Sequence, residues 1–260
     1  MNKHKSFRVL CGFLIVTFAL VLPFWLDAQR GEGNTPPTAR ASAPIDLTGY
    51  WVSLVTNEWR WRMLTPPKGD YATLPINAEA RRIADSWDPA RDEASGNQCR
   101  AYGAAIIMQV PGRLHITWQS DTALKLETDT GIQTRVFNFG GPQPPTGEPT
   151  WQGYSVAEWQ VARGRGREAQ AQPGSARSGT LKVVTTRMRP GYLRKNGVPY
   201  GERATVTEYF NRVSGPAGEY LNVLSIVEDP QYLIGPYARS MQFKREPDGS
   251  KWSPEPCSAR

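Results

Sequence analysis

Glu208 is the residue best placed in this sequence to move a proton. In ATVTEYF, the side chains of Ala204, Val206, Glu208 and Phe210 share one face of an extended strand, because strand side chains alternate with period two. An acid among apolar neighbours sits where a general acid or base would sit. The competing role is structural: an internal ion pair to Arg135 or Arg187 would anchor the strand. The other face, Thr205, Thr207, Tyr209 and Asn211, is the more polar one.

His115 is the second candidate. In RLHITW it shares a face with Arg113 and Thr117, opposite Leu114, Ile116 and Trp118. If that polar face lines a cavity, His115 is a general acid or base; if it meets solvent, it is a surface histidine. Asp229 precedes Pro230, where an aspartate caps the turn with its own carboxylate. Paired with Glu208 it would make the two carboxylates of a hydrolase, provided the fold brings them together. Ser155, in GYSVA, lacks the second glycine of a nucleophile elbow. The chain has no phosphate-binding glycine loop and no histidine cluster, so the sequence implies no cofactor and no metal.

A ligand pocket is the other chemical possibility. Arg135, Trp118, Tyr154, Tyr209 and Tyr220 could line one, drawing on a supply of nine Trp, ten Tyr and eight Phe. The same aromatics could equally form the core.

These residues must be positioned by strands. RLHITWQ (113–119), TALKLET (122–128), IQTRVFNF (132–139), YSVAEWQVA (154–162), GTLKVVTTRM (179–188), RATVTEYFNRV (203–213), EYLNVLSIVED (219–229) and ARSMQFKRE (238–246) alternate, with turn residues between them. AAIIMQV (104–110) reads as a further strand, turning at Pro111-Gly112. GYLRK and VPY flank Asn196-Gly197, a type I′ hairpin signal. One segment has helical period: Ile76, Ala80, Ile83, Ala84 and Trp87, with Asn77 as N-cap and Asp88-Pro89 as its end. About ten strands in hairpin order, without a βαβ rhythm, predict an antiparallel up-and-down barrel with one short flanking helix; a two-sheet β-sandwich is the alternative.

The ends of the chain read differently. Lys3, Lys5 and Arg8 precede an uncharged apolar run, Val9 to Leu26, and then Ala28; this predicts a signal peptide over 1–28. Retained, the same run could anchor the chain in a membrane. Residues 29–44 are rich in Gly, Pro, Thr and Ala and predict a flexible linker. Residues 45–260 then make a single domain, with a disordered insertion at about 163–178. Net charge is +7, part of it from Arg163, Arg165, Arg167 and Arg177 in that insertion; an exported chain meets little nucleic acid, so no nucleic-acid role is expected. Cys99 and Cys257 are an even pair in an exported chain, which predicts a disulfide.

DLTGYW, TWQGYSVAEW, GTLKVVTT, TEYFNRV and VEDPQYLIGPY, in that order, resemble a set of exported bacterial all-β proteins. Their blocks run D-L-S-G-x-W, G-x-S-x-G-x-W followed by G-D-T-L-V-V-x-T, E-R-F-x-R and D-P-x-x-Y-x-x-P-W. The resemblance spans Asp46 to about Tyr237, with departures at Ala157, Tyr209 and Tyr237 and in the long insertion after Trp159. It implies export and an all-β fold and supplies no mechanism. Gly49-Tyr50-Trp51 is similar to the opening Gly-x-Trp of lipocalins, where the Trp closes the barrel.

The leading expectation is therefore a periplasmic or extracellular lipocalin-like barrel, monomeric, that binds a small hydrophobic or aromatic ligand. One alternative is a metal-independent hydratase, isomerase or lyase using Glu208, assisted by His115, Tyr209 or Arg135. The other is a non-catalytic structural or surface protein.

Overall fold

The computed structural model describes residues 36–140, 146–161, 179–215 and 217–260. The expected signal peptide, the first part of the expected linker and the expected insertion at 163–178 lie outside the described residues.

Where the sequence alternates, strands form. They are β1 (Gly49–Leu54), β2 (Arg113–Ser120), β3 (Ala123–Thr128), β4 (Thr130–Gly131), β5 (Gln133–Phe139), β6 (Tyr154–Val161) and β7 (Gly179–Thr186). They continue with β8 (Gly191–Arg194), β9 (Val198–Tyr200), β10 (Thr205–Gly215), β11 (Gly218–Glu228), β12 (Tyr237–Glu246) and β13 (Glu255–Pro256). Nine of them close a barrel in the order β1-β12-β11-β10-β7-β6-β5-β3-β2. The protein is thus an all-β barrel, as its alternation predicts, with nine wall strands.

The odd count has a consequence. Strands that alternate in direction around a closed ring must be even in number, so a nine-stranded barrel needs one parallel neighbour pair. That pair is β5 and β6, matched at Phe137↔Ser155, Asn138↔Val156 and Phe139↔Ala157. Every other neighbour pair in the wall is antiparallel.

Inward positions fill the barrel. Trp51, Leu126, Phe137, Leu181, Val183, Phe210, Leu221, Val223 and Phe243 are all fully buried. Trp51 Nε1 donates to the Leu47 carbonyl (3.0 Å), and the Arg245 guanidinium lies 5.4 Å from its ring centre. The Gly-x-Trp tryptophan therefore sits inside the barrel near one end.

Call the end carrying Ser120 and Phe139 the upper end. Residues 37–44, expected in the flexible linker, instead pack against it. Trp159 Nε1 donates to the Ala39 carbonyl (2.9 Å), Arg40 N donates to the Asp121 carbonyl (3.0 Å), and Pro44 abuts Gly179. The small apolar residues that made this stretch look unstructured let it lie close against the rings of Trp159, Phe139 and Trp118.

The lower end carries a second apolar cluster. Around it lie helices α1 (Trp59–Arg62), α2 (Ala78–Asp85) and α3 (Pro89–Ala94), 3-10 turns at Gln98–Tyr102 and Ile107–Gln109, and the β8–β9 hairpin; the cluster itself joins Ala84 of α2 and Leu193, Val198 and Tyr200 of the hairpin to Tyr71, Leu74, Val206 and Tyr237. α2 is the expected helix: the Asn77 side chain accepts from Ala80 N (2.9 Å) and caps it. Asp88-Pro89 does more than end that helix. Pro89 opens α3, and Asp88 caps it by accepting from Ala90 N (3.0 Å).

Two local expectations change. The run 104–110 is not a strand; it turns into the 3-10 segment and is buried from Ala104 to Gln109. A uniformly apolar run carries no period to tell a buried strand from a buried turn. The 191–200 hairpin is outside the wall, and its turn is not type I′. Arg194 pairs with Val198, leaving a three-residue loop in which Gly197 has positive φ (+82°) and Asn196 does not. Three-residue hairpins put a left-handed residue last, which is the glycine here. A Cβ on Gly197 would lie 2.2 Å from Trp87 Cβ. Gly197→Ala is accordingly expected to cost at least about 1–2 kcal/mol, from backbone strain and from the clash, read as a lowered denaturation midpoint.

Candidate functional site

A concave site lies at the lower end, outside the barrel core. Five separate pieces of chain build it, four of them being Glu58, Trp61, Arg62 and Met63 in and around α1; Ile106, Gln109, Val110 and Pro111 before β2; Thr130 in β4; and Leu193, Arg194 and Lys195 at the β8 turn. Tyr237, the first residue of β12, completes it. The cleft has a volume of about 220 Å³.

Its polar groups are held firmly. Arg62 donates through Nε to the Gln109 carbonyl (2.8 Å) and through Nη1 to Asn57 Oδ1 (3.2 Å). Its Nη2 is shielded from solvent and has no hydrogen-bond partner among the described residues. Arg194 donates to the carbonyls of Asp70 (3.2 Å) and Ala72 (3.1 Å) and to Thr73 Oγ1 (3.3 Å), and its guanidinium lies 4.8 Å from the Trp61 ring centre. Lys195 Nζ donates to Tyr102 Oη (2.7 Å). Tyr237 Oη donates to Gln109 Oε1 (3.1 Å).

One carboxylate belongs to the cleft, and it is already engaged. Glu58 is ion-paired to Arg239 at 2.6 Å and accepts from Thr73 Oγ1 (3.0 Å). Both Glu58 (φ 50°) and Thr73 (φ 69°) have left-handed backbone, unusual for residues with a Cβ. Of four such residues in the described chain, these two meet beside the cleft, held by their side-chain bonds to each other and to Arg239 and Arg194. Strain of this kind persists where surrounding contacts over-determine it, and it gathers at functional sites.

The electrostatics follow from burial. Burial pushes the Arg62 and Arg194 guanidiniums below the ordinary arginine value, opposed by the charge of Glu58 nearby. Burial pushes the Tyr237 hydroxyl up, so it stays a neutral donor. The cleft is a cationic, partly dehydrated concavity with apolar walls.

The residues singled out from sequence lie elsewhere. Glu208 and Arg135 do meet, at the centre of the barrel, and both side chains are fully buried. Arg135 forks onto the carboxylate, Nη1 to Oε1 at 3.0 Å and Nη2 to Oε2 at 2.5 Å. Arg135 Nη2 also donates to Thr185 Oγ1 (3.2 Å), which shares a hydrogen bond with Ser155 Oγ (2.8 Å). The ion pair is thus to Arg135 and not to Arg187.

His115 does not join them, because it is on the outer face of the wall. There it stacks on Tyr50 (ring centres 4.1 Å, planes 1° apart), and its Nδ1 is 3.4 Å from Glu127 Oε2. Tyr154, Tyr209 and Tyr220 are also outward, each alternating with an inward neighbour: Ser155, Glu208 and Leu221. They line no shared pocket with Arg135. Trp118 is inward but belongs to the ring cluster at the upper end. Asp229 caps its turn as expected, accepting from Gly201 N (2.8 Å) and Gln231 N (2.9 Å). Cys99 and Cys257 are joined as a disulfide, their Cα atoms 5.1 Å apart.

Of the cleft residues, sequence offered only Trp61, as one of many aromatics available to pave a cavity. The available signal was two pairs beside turns, Trp61-Arg62 and Arg194-Lys195, each an aromatic or cationic residue next to a cation, with no spacing that links them.

No protein-family model, no curated protein and no solved structure matches this chain.

Proposed function

We propose that this chain is an exported barrel protein that binds a small ligand with an apolar body, in the lower-end cleft rather than within the barrel. The observation that carries this reading is the cleft itself, a concavity in which apolar walls and a few converging polar groups coincide. The barrel interior offers a ligand little room, since Phe137, Phe210, Leu221 and the Arg135–Glu208 pair fill it. Export is supported by the basic-then-apolar N-terminal sequence and by the disulfide, which suits an oxidising compartment. The geometry gives proton transfer by Glu208 no support: both carboxylate oxygens are occupied by Arg135 and the group is sealed from solvent.

An uncharged fluorescent probe tests the site. N-phenyl-1-naphthylamine is expected to bind saturably at one site with a rise in emission. Val110→Trp, which fills the cleft from its apolar wall, should weaken that binding roughly tenfold or more while leaving the melting temperature close to that of the parent. Equal affinity in the two proteins would move the site away from the cleft.

A further inference from the structure

We infer that the ligand of this cleft is a monocarboxylate with a short apolar or aromatic body, its head group held between Arg62 and Lys195. This inference rests on the proposed binding site and names the chemistry of its occupant.

Charge comes first. Arg62, Arg194 and Lys195 face the cleft, against the single carboxylate of Glu58, which is already neutralised by Arg239. The local excess is positive, inside a site where walls of Ile106, Val110 and Leu193 hold back water. An anion entering such a site gains more than it would in bulk water. The burial that disfavours the charged forms of Arg62 and Arg194 acts in the same direction, because an incoming anion compensates them.

The open donors and the charge beside them then bear on which anion fits. Both terminal nitrogens of Arg194 already bond to Asp70, Ala72 and Thr73. Lys195 gives one proton to Tyr102 and points another at the Arg260 backbone oxygen (3.5 Å), which leaves one. Arg62 keeps Nη2 unpartnered. The unbonded Arg62 Nη2 and the remaining Lys195 proton can each meet one oxygen of a carboxylate. A phosphate dianion would place its second charge beside Glu58. Nη2 is shielded from solvent, so the head group reaches it only if Arg62 gives up its 3.2 Å bond to Asn57, the longer of its two. Buried donors without partners are uncommon enough to call for a cause, and a ligand oxygen supplies one.

The body of the ligand follows from the walls. Trp61 and Met63 flank the opening, and Ile106, Val110 and Leu193 form the apolar sides. At about 220 Å³ the cleft suits a phenyl ring or a short alkyl chain rather than a long lipid tail.

Calorimetric titration of the full chain with three related compounds tests this. 3-Phenylpropanoate is expected to bind roughly ten- to a hundred-fold more tightly than 3-phenylpropan-1-ol, the neutral molecule with the same skeleton. Arg62→Gln should remove most of that preference by weakening the acid and sparing the alcohol, while Arg62→Lys should retain part of it. Should Arg62→Gln lower the melting temperature, the retained alcohol affinity is the control that the cleft is still formed. Equal binding of acid and alcohol would overturn the inference and leave the binding site standing. Tighter binding of 2-phenylethyl phosphate than of the acid would overturn the choice of carboxylate. If neither acid nor alcohol displaces N-phenyl-1-naphthylamine, the cleft reading itself fails.

Discussion

Glu208→Gln is expected to lower the free energy of unfolding by about 3–5 kcal/mol, the range for breaking a buried ion pair from one side. Both partners are fully buried, and arginine cannot shed its proton, so Arg135 would be left charged inside the barrel. Its remaining contacts, Thr185 Oγ1 and the face of Phe137 at 5.0 Å, are too weak to replace a carboxylate. For a domain of this size the loss corresponds to a melting temperature lower by about 10 °C. The double variant Arg135→Met with Glu208→Leu should recover most of it, because removing both charges together removes the desolvation cost as well. Denaturant midpoints of the single and double variants measure this. If Glu208→Gln left the midpoint unchanged, the pair could not be what anchors β5 to β10 across the barrel.

Loss of the Cys99–Cys257 bond should be of similar size. The two cysteines are 158 residues apart, and a cross-link of that span restricts the unfolded chain by about 5 kcal/mol on the chain-entropy view, an upper bound for what the native state gains. The bond also fixes local structure. Beside Cys257, β13 pairs with β4, Glu255 N donates to the Asp129 carbonyl (2.9 Å), and Ala259 N donates to Glu93 Oε1 (2.9 Å). The Cys99→Ser/Cys257→Ser double variant should therefore unfold at a clearly lower urea midpoint. It should also unfold with a steeper dependence on urea, since the uncrosslinked chain exposes more surface. A midpoint within experimental error of the parent would mean that the tail is held without the bond.

What the sequence made legible follows from where its information is local. The wall strands were readable because each alternates within itself: Leu114, Ile116 and Trp118 inward, His115 and Thr117 outward. The face of Glu208 was readable for the same reason; its partner was narrowed to Arg135 or Arg187, and the fold chose Arg135. α2 was readable from its spacing and its Asn77 cap. The 104–110 segment was not, because its buried residues have no period. Strand direction at β5–β6 was not, because nothing inside either strand records which way its neighbour runs. The cleft was the least legible feature. Arg62, Gln109, Arg194 and Tyr237 come from positions spread across most of the domain, and each looks ordinary beside its own neighbours. Convergence of that kind exists only once the barrel end has formed.

The single parallel pair also bears on the order in which the barrel assembles. Together with the β1–β12 joint it bounds two blocks of the wall, β1-β2-β3-β5 and β6-β7-β10-β11-β12, each built of antiparallel neighbours. Within the second block, β10 and β11 form a long hairpin running from Gly215↔Gly218 to Thr205↔Glu228, whose contacts close with little loop entropy. The two blocks are stitched at only two places: β1 to β12, from opposite ends of the domain, and the brief run from Phe137↔Ser155 to Phe139↔Ala157. Such joints are expected to form late, after each block has its own shape, because they bring together chain that is distant or must cross over. Arg135 lies on one block and Glu208 on the other. The buried ion pair is then a clasp that engages only when both sutures close, and it rewards the complete ring over either half alone.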